Sequence, residues 1–149
     1  MKTSNKASSL DTYLEKVERF RGRMDTLANS IEILLDDVLK RLGIALPERS
    51  MFGRKICKLK TSKRARMTLN NSISDFDDLT LRLERFNENW IISKHGMMSA
   101  DSAEPKVIKL VKNNSEHVFD EKKIEEIERD FTYIQQTLTM VQKSLIEIS

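Results

Sequence analysis

The sequence predicts an all-α protein, an antiparallel four-helix bundle whose first and last helices are long. Three observations support this prediction. Apolar residues recur every three or four positions in three segments, only four glycines and two prolines interrupt 149 residues, and 33% of residues are charged while 6% are aromatic. These features are typical of long solvated helices, and the length suits one domain. We expect a single helical-bundle domain over residues 9–149, preceded by a disordered tail over residues 1–8.

The first predicted helix begins near Ser9 or Thr12, either of which could cap it, and ends before Gly43 and Pro47. Its apolar positions form one stripe along a helical face. They are Leu14, Val17, Phe20, Met24, Leu27, Ile31, Leu34, Val38 and Leu42. At 1.5 Å per residue, such a helix would be about 50 Å long. It is too long to stand alone and needs packing partners.

Three further helices complete the predicted bundle. A short one begins near Met51, a longer one opens after Ser74 and Asp75, and the last follows Asp120. The stripe of the longer one is Phe76, Leu79, Leu83, Phe86 and Trp90, and the last stripe is Ile124, Ile127, Phe131, Ile134, Leu138, Val141, Leu145 and Ile148. Helices with seven-residue apolar repeats pack about 20° from one another in bundles.

One stretch interrupts the helical pattern. Residues 96–106 read as a loop, and residues 107–119 predict a small β-hairpin around an Asn-rich turn at Asn113 and Asn114. A helical turn is the alternative, because a short apolar run suits both structures. His117 is then expected at the surface of a turn or strand.

Charge is unevenly distributed along the chain. Between Arg49 and Ser74 there are eight bases and no acid, whereas the rest of the chain has more acids than bases. Clustered bases suit phosphate contacts, so we identify candidate nucleic-acid-binding residues there. They are Arg54, Lys55, Lys58, Lys63, Arg64 and Arg66. A solvated basic connection and a membrane-surface helix are the alternatives.

Several kinds of chemistry have no support in the sequence. Cys57, His95 and His117 are far apart, and the chain has no CxxC or HExxH motif, so we expect no metal site. The four glycines are isolated, which argues against a P-loop and against a dinucleotide-binding turn. One cysteine, no signal peptide and no membrane-spanning run predict a cytoplasmic protein without cofactors.

The segment LERFNENWIISKHG, Leu83 to Gly96, ends in a His-Gly pair after an Asn and bulky apolar residues. It resembles the signature of the HEPN superfamily, helical bundles with an Arg, usually followed by Asn, and a His four to six residues further along. The order of elements is similar too: a long helix, a short helix, the motif helix, an irregular insert and a final heptad helix. The resemblance implies metal-independent RNA cleavage in toxin or phage-defence systems, at a site shared by two protomers.

The resemblance implies roles for three residues. His95 would transfer a proton at the ribose 2′-hydroxyl, Asn89 would take the Asn position, and Arg85 would hold the phosphate from a partner chain. The family's Arg position itself falls at Glu88. Two structural alternatives stay open: Arg85 pairs with Glu88, and His95 is a C-terminal helix residue beside Gly96 as a left-handed cap.

Two hypotheses about function follow. In the first, the chain is a HEPN-like RNA-binding or RNA-processing protein of a toxin or phage-defence system and acts as a homodimer. In the second, it is a non-enzymatic helical module that dimerises or docks a protein partner such as an antitoxin. The basic segment and His95 favour the first hypothesis, and the acid at Glu88 favours the second.

Overall fold

The computed structural model describes residues 2–73, 75–98 and 107–148, with side chains for 11–73, 75–98 and 107–147. The chain is mostly helical with a small sheet, as the sequence predicted. Its helices are α1 (Lys2–Arg41), α2 (Phe52–Thr61), α3 (Lys63–Leu69), α4 (Phe76–His95) and α5 (Glu121–Ile148). Its strands are β1 (Met97–Met98), β2 (Ile108–Lys112) and β3 (Ser115–Phe119).

Helix α1 begins earlier than expected. It is assigned from Lys2, whereas the sequence predicted a disordered tail over residues 1–8. No glycine or proline occurs in the first ten residues. Adding residues to an existing helix is far easier than starting one, so a polar segment without a breaker extends the helix behind it.

The three long helices share one apolar core, and side-chain contacts establish their directions. Helices α1 and α5 are parallel, because Arg23 faces Glu128 at 3.8 Å and, further along both helices, Gln142 donates to Asp37 at 2.7 Å. The middle of α1 lies beside the end of α4, where Arg21 donates to the Ser93 carbonyl at 2.8 Å and, further along α1, Asp25 accepts from the earlier Trp90 at 2.8 Å.

Helix α4 is antiparallel to both neighbours. Its contacts with α5 run in opposite order along the two helices, because Arg85 faces Asp130 whereas the earlier Arg82 lies 4.2 Å from the ring of the later Tyr133. The predicted antiparallel arrangement therefore holds for α4, but α1 and α5 run in the same direction. The chain reverses once before α4 and once after it, and two reversals restore the original direction.

The predicted short helix near Met51 is present as two helices. Helix α2 ends at Thr61, and α3 begins after Ser62, whose hydroxyl accepts a hydrogen bond from the Ala65 N–H at 3.1 Å. A serine in this position satisfies one of the free amides of a helix start, so Ser62 both ends α2 and caps α3.

The predicted β-hairpin is confirmed, and the alternative helical turn is not adopted. Strands β2 and β3 are antiparallel, with Ile108 opposite Phe119 and Lys112 opposite Ser115. The turn residues Asn113 and Asn114 have φ of 53° and 63°. Two left-handed residues in succession form the turn that best matches strand twist, and asparagine tolerates this conformation better than most residues.

A third strand joins the sheet where the sequence predicted a loop. Met97 and Met98 pair with Val111 and Leu110 of β2. Two residues are too short for an alternating pattern, so only the proximity of β2 makes them a strand. Residues 99–106 of the predicted loop lie outside the described residues.

The hairpin is anchored on the helical core. Ile108, Leu110 and Phe119 are buried, and the Tyr13 hydroxyl lies 3.2 Å from both the N–H and the carbonyl of Lys109. This contact ties β2 to α1, so the hairpin lies against the helices rather than projecting into solvent.

Candidate functional site

His95 is the last residue of α4, and its side chain is exposed. It does not line any of the cavities described below. Beside it, Lys94 lies 5.1 Å from the centre of the Trp90 ring, and Met97 is 75% exposed. The imidazole is therefore open to another molecule.

Gly96 is required by packing and not by backbone conformation. Its φ is −67°, so the predicted left-handed cap is wrong. A Cβ at this position would lie 2.5 Å from the Ile92 carbonyl oxygen and 2.9 Å from the Leu110 Cβ. The end of α4 and strand β2 approach so closely that only glycine fits between them.

Arg85 is held by a buried carboxylate on α5. Its Nε and Nη2 donate to the two carboxylate oxygens of Asp130 at 2.7 and 2.6 Å, and Asp130 is 1% exposed. The expected pairing with Glu88 is therefore wrong. The hydrogen bonds to Asp130 raise the pKa of Arg85 against the opposing effect of burial. This bidentate pair joins α4 to α5, so the guanidinium of Arg85 serves helix packing.

Asn89 is also withdrawn from the surface, since it is 6% exposed. His95 lies exposed on the same helix, and Arg85 points to α5. The structure therefore does not bring Arg85, Asn89 and His95 together within one chain. A site built from these residues would need a second copy of the chain and a different position for Arg85.

The six candidate nucleic-acid-binding residues separate into two groups. Arg54, Lys58, Lys63 and Arg64 are exposed, and none of them has an ion pair with a described residue. We call these four residues the basic surface. Arg54 and Lys58 lie one turn apart on α2, and Lys63 and Arg64 open α3. Arg64 also covers Gly43, because its Nη1 lies 3.2 Å from where a Cβ of Gly43 would be.

Lys55 and Arg66 do not belong to the basic surface. Lys55 is 8% exposed and its Nζ lies 2.6 Å from Glu32 and 2.8 Å from Asp36. Burial by itself would lower the pKa of Lys55, but the hydrogen bonds to the two carboxylates raise it. Arg66 pairs with Asp77 at 2.9 Å. These two predicted phosphate contacts instead join α2 to α1 and α3 to α4.

A groove lies between α2, α4 and the tip of the β2–β3 hairpin, with a volume of about 660 Å³. Its lining residues include Gly53, Ile56, Cys57, Lys60, Glu84, Asn87, Glu88, Ile91, Lys112 and His117. Sequence reasoning missed this groove. One feature of the sequence could have indicated it. Lys112 lies on the same face of β2 as the buried Ile108 and Leu110, so the apolar alternation of that strand ends in a charged residue.

Two charged groups of the groove neutralise each other. Lys60 on α2 and Glu84 on α4 are 2.8 Å apart, and the hydrogen bond to Glu84 raises the pKa of Lys60. His117, expected at the surface, lies in β3 and is half-buried at the groove. Among the described residues, no three His, Cys, Asp or Glu side chains could together hold a metal ion.

Within the described part of the chain, no helix has the length and apolar character needed to cross a membrane. Comparisons with protein-family models, with curated proteins and with solved structures each gave no match.

Proposed function

We propose that this chain is a HEPN-like RNA-binding protein of a toxin or phage-defence system, which acts in the cytoplasm as a homodimeric helical bundle. The observation that supports RNA binding is the basic surface. Its four bases are exposed and have no acidic partner among the described residues. Unpaired surface bases can replace the counterions that are condensed on nucleic-acid phosphates, whereas a paired base such as Lys55 would first have to break its ion pair.

Cleavage would depend on His95. It is exposed at the end of α4 and free to meet the same residue of a second copy. Arg85 is a poor candidate for the phosphate ligand, because removing it from Asp130 would leave a buried carboxylate without its bidentate partner. Lys94, adjacent to His95 and exposed, is a cation that could take that part.

The second candidate function is a non-enzymatic module that dimerises or docks a protein partner. One observation favours it specifically: the Arg and Asn that the resemblance assigns to catalysis serve packing here, Arg85 on Asp130 and Asn89 in the interior. A helical scaffold that had lost catalysis would retain such contacts for stability.

An RNA-binding titration with total RNA tests the proposal. We expect the affinity to fall steeply with salt, and the double variant Lys58→Glu, Lys63→Glu to weaken binding at least about tenfold and flatten the salt dependence. Lys143→Glu with Arg129→Glu is the matched control, since it changes two exposed bases on α5 by the same charge. An affinity that is independent of salt, or equal losses in both double variants, would contradict RNA binding by the basic surface.

The same preparations, incubated with RNA, separate the two candidate functions. If His95 transfers a proton, wild type cleaves RNA and His95→Ala does not, while both bind it equally. Equal cleavage by both proteins would remove His95 from the mechanism. RNA binding without cleavage would support binding alone, and neither binding nor cleavage would favour the protein-interaction module.

A further inference from the structure

The outer face of the small sheet turns away from the helical core. Successive side chains of a strand point to opposite faces, and Ile108, Leu110 and Phe119 are buried on the inner one. The alternate residues of β2 and β3 therefore form the outer face, together with one residue of β1. They are Met97, Lys109, Val111, Glu116 and Val118. Met97 is 75% exposed and Val118 is 42% exposed, so this face presents apolar side chains to solvent.

The register of the hairpin arranges four of these residues in a regular pattern. Val111 stands opposite Glu116, and Lys109 stands opposite Val118. The two valines therefore occupy one diagonal of a four-residue patch, and the two charged residues occupy the other. We call these four residues the outer patch. Met97 pairs with Val111 from β1 and extends the patch on its apolar side.

The two charges of the outer patch are not used within the chain. Neither Lys109 nor Glu116 has an ion pair with a described residue. Diagonal neighbours on adjacent strands are about 7–8 Å apart, which is too far for a direct bond between them. An acid and a base that flank two valines therefore suit a partner with the same apolar centre and the opposite order of charges.

We propose that the outer patch is the surface on which a second copy of this chain docks, with the twofold axis along the diagonal from Val111 to Val118. A twofold axis that lies between two facing sheets places each residue on the axis against itself and exchanges the residues on either side. Val111 and Val118 then each meet the same residue of the second copy. Lys109 meets Glu116 of the second copy, and Glu116 meets its Lys109.

The other simple axes do not give complementary contacts. An axis along the second diagonal places Lys109 on Lys109 and Glu116 on Glu116, and like charges directly opposite are destabilising. An axis parallel or perpendicular to the strands places a valine against a charged residue at all four positions. The register in this sheet therefore favours one axis for self-association.

The dimensions of a sheet are compatible with this axis. Strands lie about 4.8 Å apart and two residues span about 6.8 Å, so the diagonal is inclined about 35° to the strands. The strands of the two copies then cross at about 70°, close to the orthogonal class of sheet packing. The patch is smaller than the about 800 Å² that each partner buries in a standard interface, so we expect micromolar affinity.

This proposal rests on the homodimer proposed above and identifies its surface. Met97 lies beside Val111 and follows His95 by two residues. A dimer formed on this face therefore brings the ends of the two α4 helices to the same interface. The basic surface lies on α2 and α3 and is not part of this contact, so RNA binding and dimerisation can be measured separately.

Charge reversal, followed by sedimentation equilibrium at about 50 mM salt, tests the proposal. Lys109→Glu and Glu116→Lys each put two like-charged pairs into the dimer and should raise the Kd of dimerisation about tenfold. The double variant restores both pairs, and so does an equimolar mixture of the two single variants. Both should dimerise within about threefold of wild type. Lys143→Glu and Glu147→Lys, exposed on α5, are the controls and should leave the Kd unchanged.

Cross-linking tests the axis without changing the charges, and it keeps the proposal testable if a reversal disturbs the sheet. In a protein with Cys57→Ser, a cysteine on the axis lies against its own copy. Val118→Cys should therefore join two chains by a disulfide on mild oxidation. Met67→Cys, equally accessible on α3 with 74% exposure of the native side chain, should stay uncross-linked.

The outcomes separate this surface from the function proposed above. Restored association that is missing from both the double variant and the mixture, or no cross-link from Val118→Cys, would overturn the surface while a dimeric wild type retains the homodimer. A monomeric wild type would refute the surface and the homodimer together. A protein that passes both tests but binds no RNA would retain the surface and refute RNA binding.

Discussion

Asp130 has the lowest exposure of the charged side chains that the structure describes, at 1%. Its two oxygens accept hydrogen bonds from Arg85, and Arg82 adds a third contact at 3.5 Å. A buried carboxylate needs such partners because desolvation of an unpaired charge costs several kcal/mol. A residue that looked catalytic from the motif is thus explained by the charge of a residue 45 positions away.

At this scale we predict that Asp130→Ala lowers the free energy of unfolding by about 2 kcal/mol. The value for a fully buried pair is larger, but Arg85 is 38% exposed and water screens part of the interaction. Glu126→Ala is the control, since Glu126 lies 3.8 Å from Arg85 with 44% exposure and should cost less than about 0.5 kcal/mol. Urea unfolding measures the free energy of unfolding of both variants. Similar losses in the two would contradict the claim that burial makes the Asp130 contact the stronger one.

At the level of elements, the junction between α4 and the sheet depends on Gly96. The Gly96 N–H donates to the Ile92 carbonyl at 2.7 Å, and its own carbonyl accepts from Arg21 of α1. Strand β2 packs against the same point through Leu110. Three elements therefore meet at a residue without a side chain, and the position of His95 next to it depends on this contact.

Two glycine variants should have opposite effects on stability. Gly96→Ala introduces a Cβ 2.9 Å from the Leu110 Cβ, which forces α4 and β2 apart, and 2.5 Å from the Ile92 carbonyl oxygen of α4, so it should lower the unfolding free energy by about 1–3 kcal/mol. Gly22→Ala, inside α1 with nothing within 4 Å of the new Cβ, should raise it by about 0.5–1 kcal/mol. Thermal unfolding compares them, and a stabilising Gly96→Ala would show that the junction is loosely packed.

At the level of the whole molecule, the basic surface and the exposed end of α4 lie on different elements. The basic surface lies on α2 and α3, while His95 and the exposed Met97 lie together where α4 meets the sheet. Under the proposed function, RNA contacts the basic surface and a second copy of the chain contacts the His95 end of α4. Proposed cleavage requires that both be occupied together.

We predict that the protein is a dimer at micromolar concentration and that Met97→Glu makes it monomeric. An ion in an apolar interface loses its hydration without gaining a partner, which should weaken association about a hundredfold. Met67→Glu is the matched control, with 74% exposure against 75% for Met97, and should remain dimeric. Sedimentation velocity gives the masses. A monomeric wild type would contradict the shared site, and two dissociated variants would place the interface elsewhere.

Local pattern was sufficient for the long helices and the β2–β3 hairpin, but not for the division between α2 and α3 or for β1. The stripe from Phe76 to Trp90 predicted α4, and the short apolar run before Asn113 and Asn114 predicted β2. The sites were not predictable in the same way. Lys55 looked like Lys58 in sequence, and only the side of α2 that faces Glu32 and Asp36 separates a buried ion pair from an exposed base. No motif marked the groove, because its lining comes from α2, α4 and the hairpin.

The sequence alone determined where the long helices and the β2–β3 hairpin form, because helix stripes, turns and caps depend on residues a few positions apart. It also located the acid-free segment from which the basic surface is drawn. Tertiary structure decided which charges remain free, why Gly96 is a glycine, that α1 and α5 run in the same direction, and where a groove opens. These properties depend on residues that are distant in the chain and adjacent in space, and burial changes the free energy of a charge far more than any local preference does.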